Sequence, residues 1–151
     1  VTQLAGVEGI LNWHPLDARV TTSGQPSEAE LELLQSLGIR HVINLGLHSH
    51  EKALPDEAGT LAGLGLGYSH IPVPFLAPAE ADFAQFRAVF EAMADVPVHV
   101  HCIMNYRVSA FFYRYRRQML GWNAAQALPD LLKIWQPTPV WGAFIDLEGQ
   151  G

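Results

Sequence analysis

The single cysteine of this 151-residue chain stands in the run His101-Cys102-Ile103-Met104-Asn105-Tyr106-Arg107. A thiol followed at short range by an arginine pairs a nucleophile with a planar cation whose donors match two oxygens of a phosphate or sulfate. Pro97-Val98-His99-Val100-His101 alternates as a strand, and Val108, Phe111, Phe112, Tyr115 and Met119 mark one face of a helix. Cys102 is thus expected at a strand-to-helix turn, where backbone N–H groups and the helix N-terminus favour a bound anion. Such a position also favours thiolate over thiol. Cys102 becomes the candidate nucleophile, Arg107 the anion clamp, and Ile103, Met104, Asn105 and Tyr106 the backbone cradle. Ser109 is placed to assist the thiolate or a leaving group, and His101 to fix the loop by hydrogen bonding. The alternative for a lone cysteine is a small core hydrophobe.

The elements around this turn follow a βα rhythm. Arg19-Val20-Thr21-Thr22 reads as a short strand closing on Ser23-Gly24-Gln25-Pro26. Ser27 and Glu30 form a capping box for a helix with Leu31, Leu34 and Leu37 on one face and Gly38 as its left-handed stop. His41-Val42-Ile43-Asn44-Leu45 is expected to be a buried strand, residues 55–64 a weaker helix, and Tyr68-Ser69-His70-Ile71 a further strand. Pro72, Pro74 and Pro78 make a stiff loop that could overhang a site. Phe83, Phe86, Phe90 and Met93 form a core stripe on a helix over 79–94. The tail offers a helix over 123–135, either continuous or interrupted at Pro129, and another capped by Thr138 and begun by Pro139. This alternation predicts a single α/β domain over 1–151, with a mostly parallel central sheet flanked by helices and its ligand site beyond the carboxyl ends of the strands.

Composition narrows the chemistry. A chain that is 49% hydrophobic and 16% charged has a core and no bilayer-spanning run. The net charge of −6 argues against nucleic acid and anionic membrane as partners. One cysteine excludes a disulfide within the chain and any multi-cysteine metal site. No secretory pattern opens the sequence, so a cytoplasmic protein is expected. His48-Ser49-His50-Glu51 reads as an exposed polar loop rather than a metal site, and no metal or other cofactor is expected. His99 and His101 are read as lying on opposite sides of their strand, unable to share an ion. Arg114, Arg116 and Arg117 are read as complementing a helix C-terminus.

Val98-His99-Val100-His101-Cys102 with Arg107 resembles the signature of the cysteine-dependent protein tyrosine and dual-specificity phosphatases. Thr22-Ser23-Gly24-Gln25-Pro26, Val42-Ile43-Asn44-Leu45 and His70-Ile71-Pro72-Val73 extend this to a bacterial phosphatase-like family that includes the beta-lactamase hydrolase-like proteins, over roughly residues 19–120. The resemblance implies a phosphatase-like fold and a hydrolase acting on a phosphorylated substrate or small oxyanion. By it Cys102 forms a phosphocysteine, Arg107 clamps the phosphate, and Ser109 aids breakdown of the intermediate.

Three departures accompany it. The phosphatase loop has five residues between cysteine and arginine, whereas Ile103, Met104, Asn105 and Tyr106 are four. A gapless comparison puts Val108 at the arginine's place and keeps Ser109 in register, while a shortened loop keeps Arg107 at the anion. The loop also lacks glycine, leaving Asn105 as the residue that tolerates a left-handed conformation. Finally, Pro72 to Pro78 holds no aspartate to protonate a leaving group, and Glu80 and Asp82 are the nearest acids. The short loop gives two alternatives, a rhodanese-like sulfurtransferase working through a Cys102 persulfide and a noncatalytic anion-binding module.

Overall fold

The computed structural model describes residues 7–147. Five strands form one sheet: β1 (His14–Pro15), β2 (Val20–Ser23), β3 (His41–Asn44), β4 (Gly67–His70) and β5 (Val98–His101). Their order is β1-β2-β5-β3-β4, parallel throughout except for the antiparallel β1–β2 pair. Two-residue β1 has no hydrophobic period to announce it, and it adds the one antiparallel edge to the expected parallel sheet. The helices are α1 (Glu28–Ser36), α2 (Glu57–Gly63), α3 (Glu80–Ala92), α4 (Tyr106–Gln118), α5 (Ala124–Leu132) and α6 (Pro139–Phe144). None is long and apolar enough to cross a membrane.

Local sequence sets several boundaries. Ser27 and Glu30 close the capping box on α1, and Gly38 follows with φ +93°. Pro129 lies within α5 without interrupting it, so the continuous alternative holds; its ring removes one N–H, while Leu131 and Ala127 anchor the helix in the core. Thr138 precedes α6, but its side chain makes no capping bond. Arg114 pairs with Glu80, Arg116 with Asp130, and Arg117 donates to the Trp122 carbonyl, so these arginines tie α4 to its neighbours rather than only facing its dipole.

Two cores cover the sheet. Val98 and Val100 of β5 face a large cluster with Phe83, Phe86 and Phe90 of α3 and Phe111 and Phe112 of α4. Leu31, Leu34, Val42 and Leu61 form a smaller one beneath α1 and α2. Phe86 is 0% exposed and meets Phe111 and Phe112 edge-on at centroid distances of 5.4 and 5.3 Å. Truncating it leaves a void that rigid neighbouring rings cannot fill. Phe86→Ala is therefore expected to cost about 3–5 kcal/mol, read as a lower urea midpoint at unchanged slope.

The central strand β5 is buried along its whole length, between β2 and β3. Its valines serve one face, while His99 and His101 share the other. Their ring centroids lie 6.2 Å apart. The expectation of opposite faces fails because strand side chains alternate, so residues two apart point the same way.

Candidate functional site

β2, β3 and β5 end together, and Cys102 follows β5 directly. Leu45 N–H donates to the His101 carbonyl at 2.8 Å, and Gln25 N–H to the Ile103 carbonyl at 2.9 Å, which fixes the start of the loop to both neighbouring strands. Gly24 is required there: a Cβ on it would stand 2.5 Å from the Ile103 carbonyl oxygen.

Asn105 makes the turn that the glycine-free loop needs. Its φ is +68°, in the left-handed region that asparagine tolerates. Its side chain points inward, donating to the Asn12 carbonyl at 2.9 Å and the Thr22 hydroxyl at 3.1 Å, while Asn12 returns a bond to the Met104 carbonyl at 2.8 Å. These bonds between Asn12 and the Met104–Asn105 segment hold the loop from behind. Ile103, Met104, Asn105, Tyr106 and Arg107 give their amide N–H groups to no backbone acceptor among the described residues. Donors left open at the start of the 13-residue helix α4 suit an anion.

A cavity of about 280 Å³ opens over the loop, lined by Leu47, His50, Phe75, Cys102, Ile103, Met104, Tyr106 and Arg107. Arg107 and Cys102 therefore share one pocket, while Val108 is buried in the main core. The chain adopts the shortened loop, not the gapless alignment. Arg107 is 6% exposed, and its Nη1 donates to the Val73 carbonyl at 2.7 Å. Its Nε is buried with no partner. The Nε edge of a guanidinium can form side-on pairs with two-oxygen groups, and here the protein bonds one end of the fork and commits no acceptor to Nε.

The proline-rich loop supplies the aromatic wall. Phe75 lies 5.7 Å from the Arg107 guanidinium, and its carbonyl accepts from Trp141 Nε1 at 2.7 Å. Tyr106 stacks on Trp135 with centroids 4.4 Å apart.

Other candidate residues stand elsewhere. Ser109 Oγ donates to the Tyr106 carbonyl at 3.0 Å and lines a separate small cavity with Thr22 and Arg116. Glu80 is held by Arg114 at 2.6 and 3.0 Å, which lowers its pKa through hydrogen bonding and charge. Asp82 accepts from Ala79 N–H at 3.0 Å. None of the three lines the cysteine pocket. Instead His50 does, with its Nδ1 accepting from Lys52 N–H at 3.0 Å. No cluster of three or more metal-ligating side chains occurs among the described residues.

Behind the loop, His99 Nδ1 pairs with the Thr21 hydroxyl at 2.7 Å and Nε2 with the Ser23 hydroxyl at 2.8 Å. Ser23 spends its own hydrogen on the Gly24 carbonyl, so His99 Nε2 must donate and Nδ1 accept. Burial, then the neighbouring His101, push its pKa well below the usual histidine value, in keeping with this neutral tautomer. His101 donates from Nδ1 to the Cys102 carbonyl at 3.0 Å, and its Nε2 meets Glu57 Oε2 at 2.6 Å. Glu57, in the first turn of α2, was not among the residues singled out by spacing. Nothing in Pro55-Asp56-Glu57 distinguishes it from an ordinary first-turn acid.

A buried cysteine after a central parallel strand, with an arginine of the next helix lining the same pocket, matches the class of protein tyrosine phosphatase-like folds. The solved structure of Pseudomonas aeruginosa TpbA bound to pTyr shares this fold, with a TM-score of 0.71 at 19% identity over 93% of this chain and 88% of that one. A crystal structure from Shewanella putrefaciens, described as that of a DUF442 phosphatase, superposes with a TM-score of 0.83 at 31% identity, covering 98% of this chain and 99% of that one. The chain belongs to this DUF442 phosphatase-like family. It is also 31% identical over 90 residues to the beta-lactamase hydrolase-like protein of Agrobacterium fabrum, spanning 58% of this chain but only 21% of that protein. No family model matches the sequence.

Proposed function

We propose that the protein is a cysteine-dependent phosphatase that hydrolyses a phosphomonoester through a Cys102 phosphocysteine. One observation carries this reading: Arg107, whose Nε is buried without a partner, lines the same pocket as the chain's single cysteine. The thiolate attacks phosphorus, the phosphorus–oxygen bond to the leaving group breaks, and the leaving oxygen takes a proton. Water then attacks the phosphocysteine, releasing phosphate and restoring the thiolate. Arg107 and the open amides of 103–107 would receive the charge that develops on the non-bridging oxygens. The persulfide alternative rests on loop length alone, whereas the family and surrounding framework are phosphatase-like. TpbA binds pTyr in the related fold, and an aromatic-walled pocket with a single arginine suits a monophosphate carried on an apolar body.

Glu80 and Asp82 are committed to other partners, so His50, which lines the pocket, is the candidate to donate a hydrogen bond to the leaving oxygen, whose proton then comes from water. The Lys52 N–H bond to its Nδ1 leaves Nε2 carrying the hydrogen. Aryl phosphates of graded leaving-group pKa, assayed from pH 5 to 8, test both points. Phosphate release above background is expected, and His50→Ala should slow phenyl phosphate by roughly 10²-fold but p-nitrophenyl phosphate much less. No release from any ester would sink the phosphatase reading, and equal losses on both esters would remove His50 from it.

A further inference from the structure

Two buried residues behind the cysteine loop have no part in the mechanism above. Glu57 is 3% exposed and His101 0%, and their 2.6 Å contact joins the first turn of α2 to the end of β5. The proton count of this pair can be read from its partners. The Cys102 carbonyl can only accept, so His101 Nδ1 carries a hydrogen. Glu57 Oε1 accepts from Gln25 Nε2 at 3.2 Å, a bond that favours the ionised carboxylate. A carboxylate facing Nε2 then requires a second hydrogen on the ring.

We propose that Glu57 is a positioning residue for Cys102, acting through His101: its carboxylate keeps the ring doubly protonated, so that Nδ1 anchors the Cys102 carbonyl while a buried positive charge sits one residue from the thiol. The proposal rests on the reading of Cys102 as the nucleophile. It extends that reading to a residue in an element the cysteine motif does not include.

The surrounding groups are arranged to leave this charge on His101. His99, on the same strand face, is bonded at both nitrogens as a neutral ring. His70 donates to the Gly46 carbonyl at 2.6 Å and stacks on His48 at 3.7 Å. Burial lowers the His70 pKa more than that bond and the Glu57 charge raise it, with His48 and His101 adding to the lowering. Tyr68, bonded to Asn44 and His48, stays a phenol because burial pushes it up to about 12. Glu57 itself is lowered although burial opposes this, because the charge and hydrogen bond of His101, the Gln25 bond and the His48 charge together outweigh desolvation. Arg107 is the other cation at the loop, and it approaches from the pocket side.

The sequence has one cysteine, so the thiolate can be titrated by its absorbance near 240 nm as the difference between the protein and its Cys102→Ser variant. Glu57→Gln is expected to raise the midpoint by about one pH unit, a tenfold change in the ionisation constant. Glu57→Asp, which keeps the charge, should restore about half of that shift. Nitrogen-15 NMR of the histidine-labelled protein, with His101 identified by loss of its signals in His101→Asn, should show both ring nitrogens protonated at pH 7. An unchanged midpoint in folded Glu57→Gln would overturn the proposal. So would a singly protonated His101 ring in the unaltered protein, a measurement that stands even if the variant does not fold. Neither readout needs a substrate: a shifted midpoint in a protein without turnover would count against the phosphatase reading alone.

Discussion

Cys102→Ser is expected to lower phosphomonoester turnover by at least about 10⁴-fold while leaving the site able to bind phosphate. The serine hydroxyl has nearly the volume of the thiol, so the loop, fixed by Gln25, Leu45 and the Asn12–Asn105 pair, has no reason to move. What disappears is the nucleophile, since an alcohol beside an arginine stays protonated at neutral pH, and loss of a covalent nucleophile acts on this scale. Two measurements check the point together. Steady-state release from an aryl phosphate should fall to background, and inorganic phosphate should bind the variant within about threefold of the unaltered protein, a difference below 1 kcal/mol. Quenched reactions of the unaltered protein should contain one phosphate on Cys102, seen by mass spectrometry under conditions that preserve the sulfur–phosphorus bond. Full activity in the serine variant would place the chemistry elsewhere.

Arg107 gives the second large effect. Arg107→Ala should cost about 10²–10³ in kcat/KM, the usual loss for one oxyanion donor. Arg107→Lys should be almost as poor. A lysine keeps the charge but cannot hold the Val73 carbonyl at one end and present a two-oxygen edge at the other. The substitution also releases the proline-rich loop, whose Phe75 forms a wall of the pocket. Substrate affinity is therefore expected to weaken along with kcat. If lysine retained activity within about threefold, the arginine would be acting as a point charge and the side-on geometry would be wrong.

Much of this arrangement was legible in the residues themselves. The capping box Ser27/Glu30, the left-handed Gly38 and the phenylalanine stripe of α3 are local signals, decided by spacings of three and four residues. They reappear in the structure at or near the expected positions. The left-handed turn at Asn105 follows in the same way, since no other residue of the loop tolerates it readily. At Pro129 spacing left a continuous and an interrupted helix open, and the burial of Ala127 and Leu131 against the core decides for the continuous one. That His99 and His101 share one face of β5 follows from strand alternation alone and needs no tertiary effect.

The His101–Cys102 loop was determined by sequence alone to the extent that a strand, a thiol, a turn and a helix follow one another in that order. Which residues face the thiol was decided only by tertiary structure. Arg107 could have pointed into the core or into the pocket, and the choice depends on a carbonyl at Val73, 34 residues away. Glu57 reaches His101 across a separation of 44 residues, and His50 enters the pocket from the loop after β3. Ser109, kept in register by counting along the chain, lines a different cavity because four rather than five residues precede Arg107 and rotate the following helical positions. Residues near in sequence are constrained by backbone geometry, which composition and spacing express. Contacts between distant segments are fixed by how strands align in the sheet and how helices pack on it, and no local pattern carries that information.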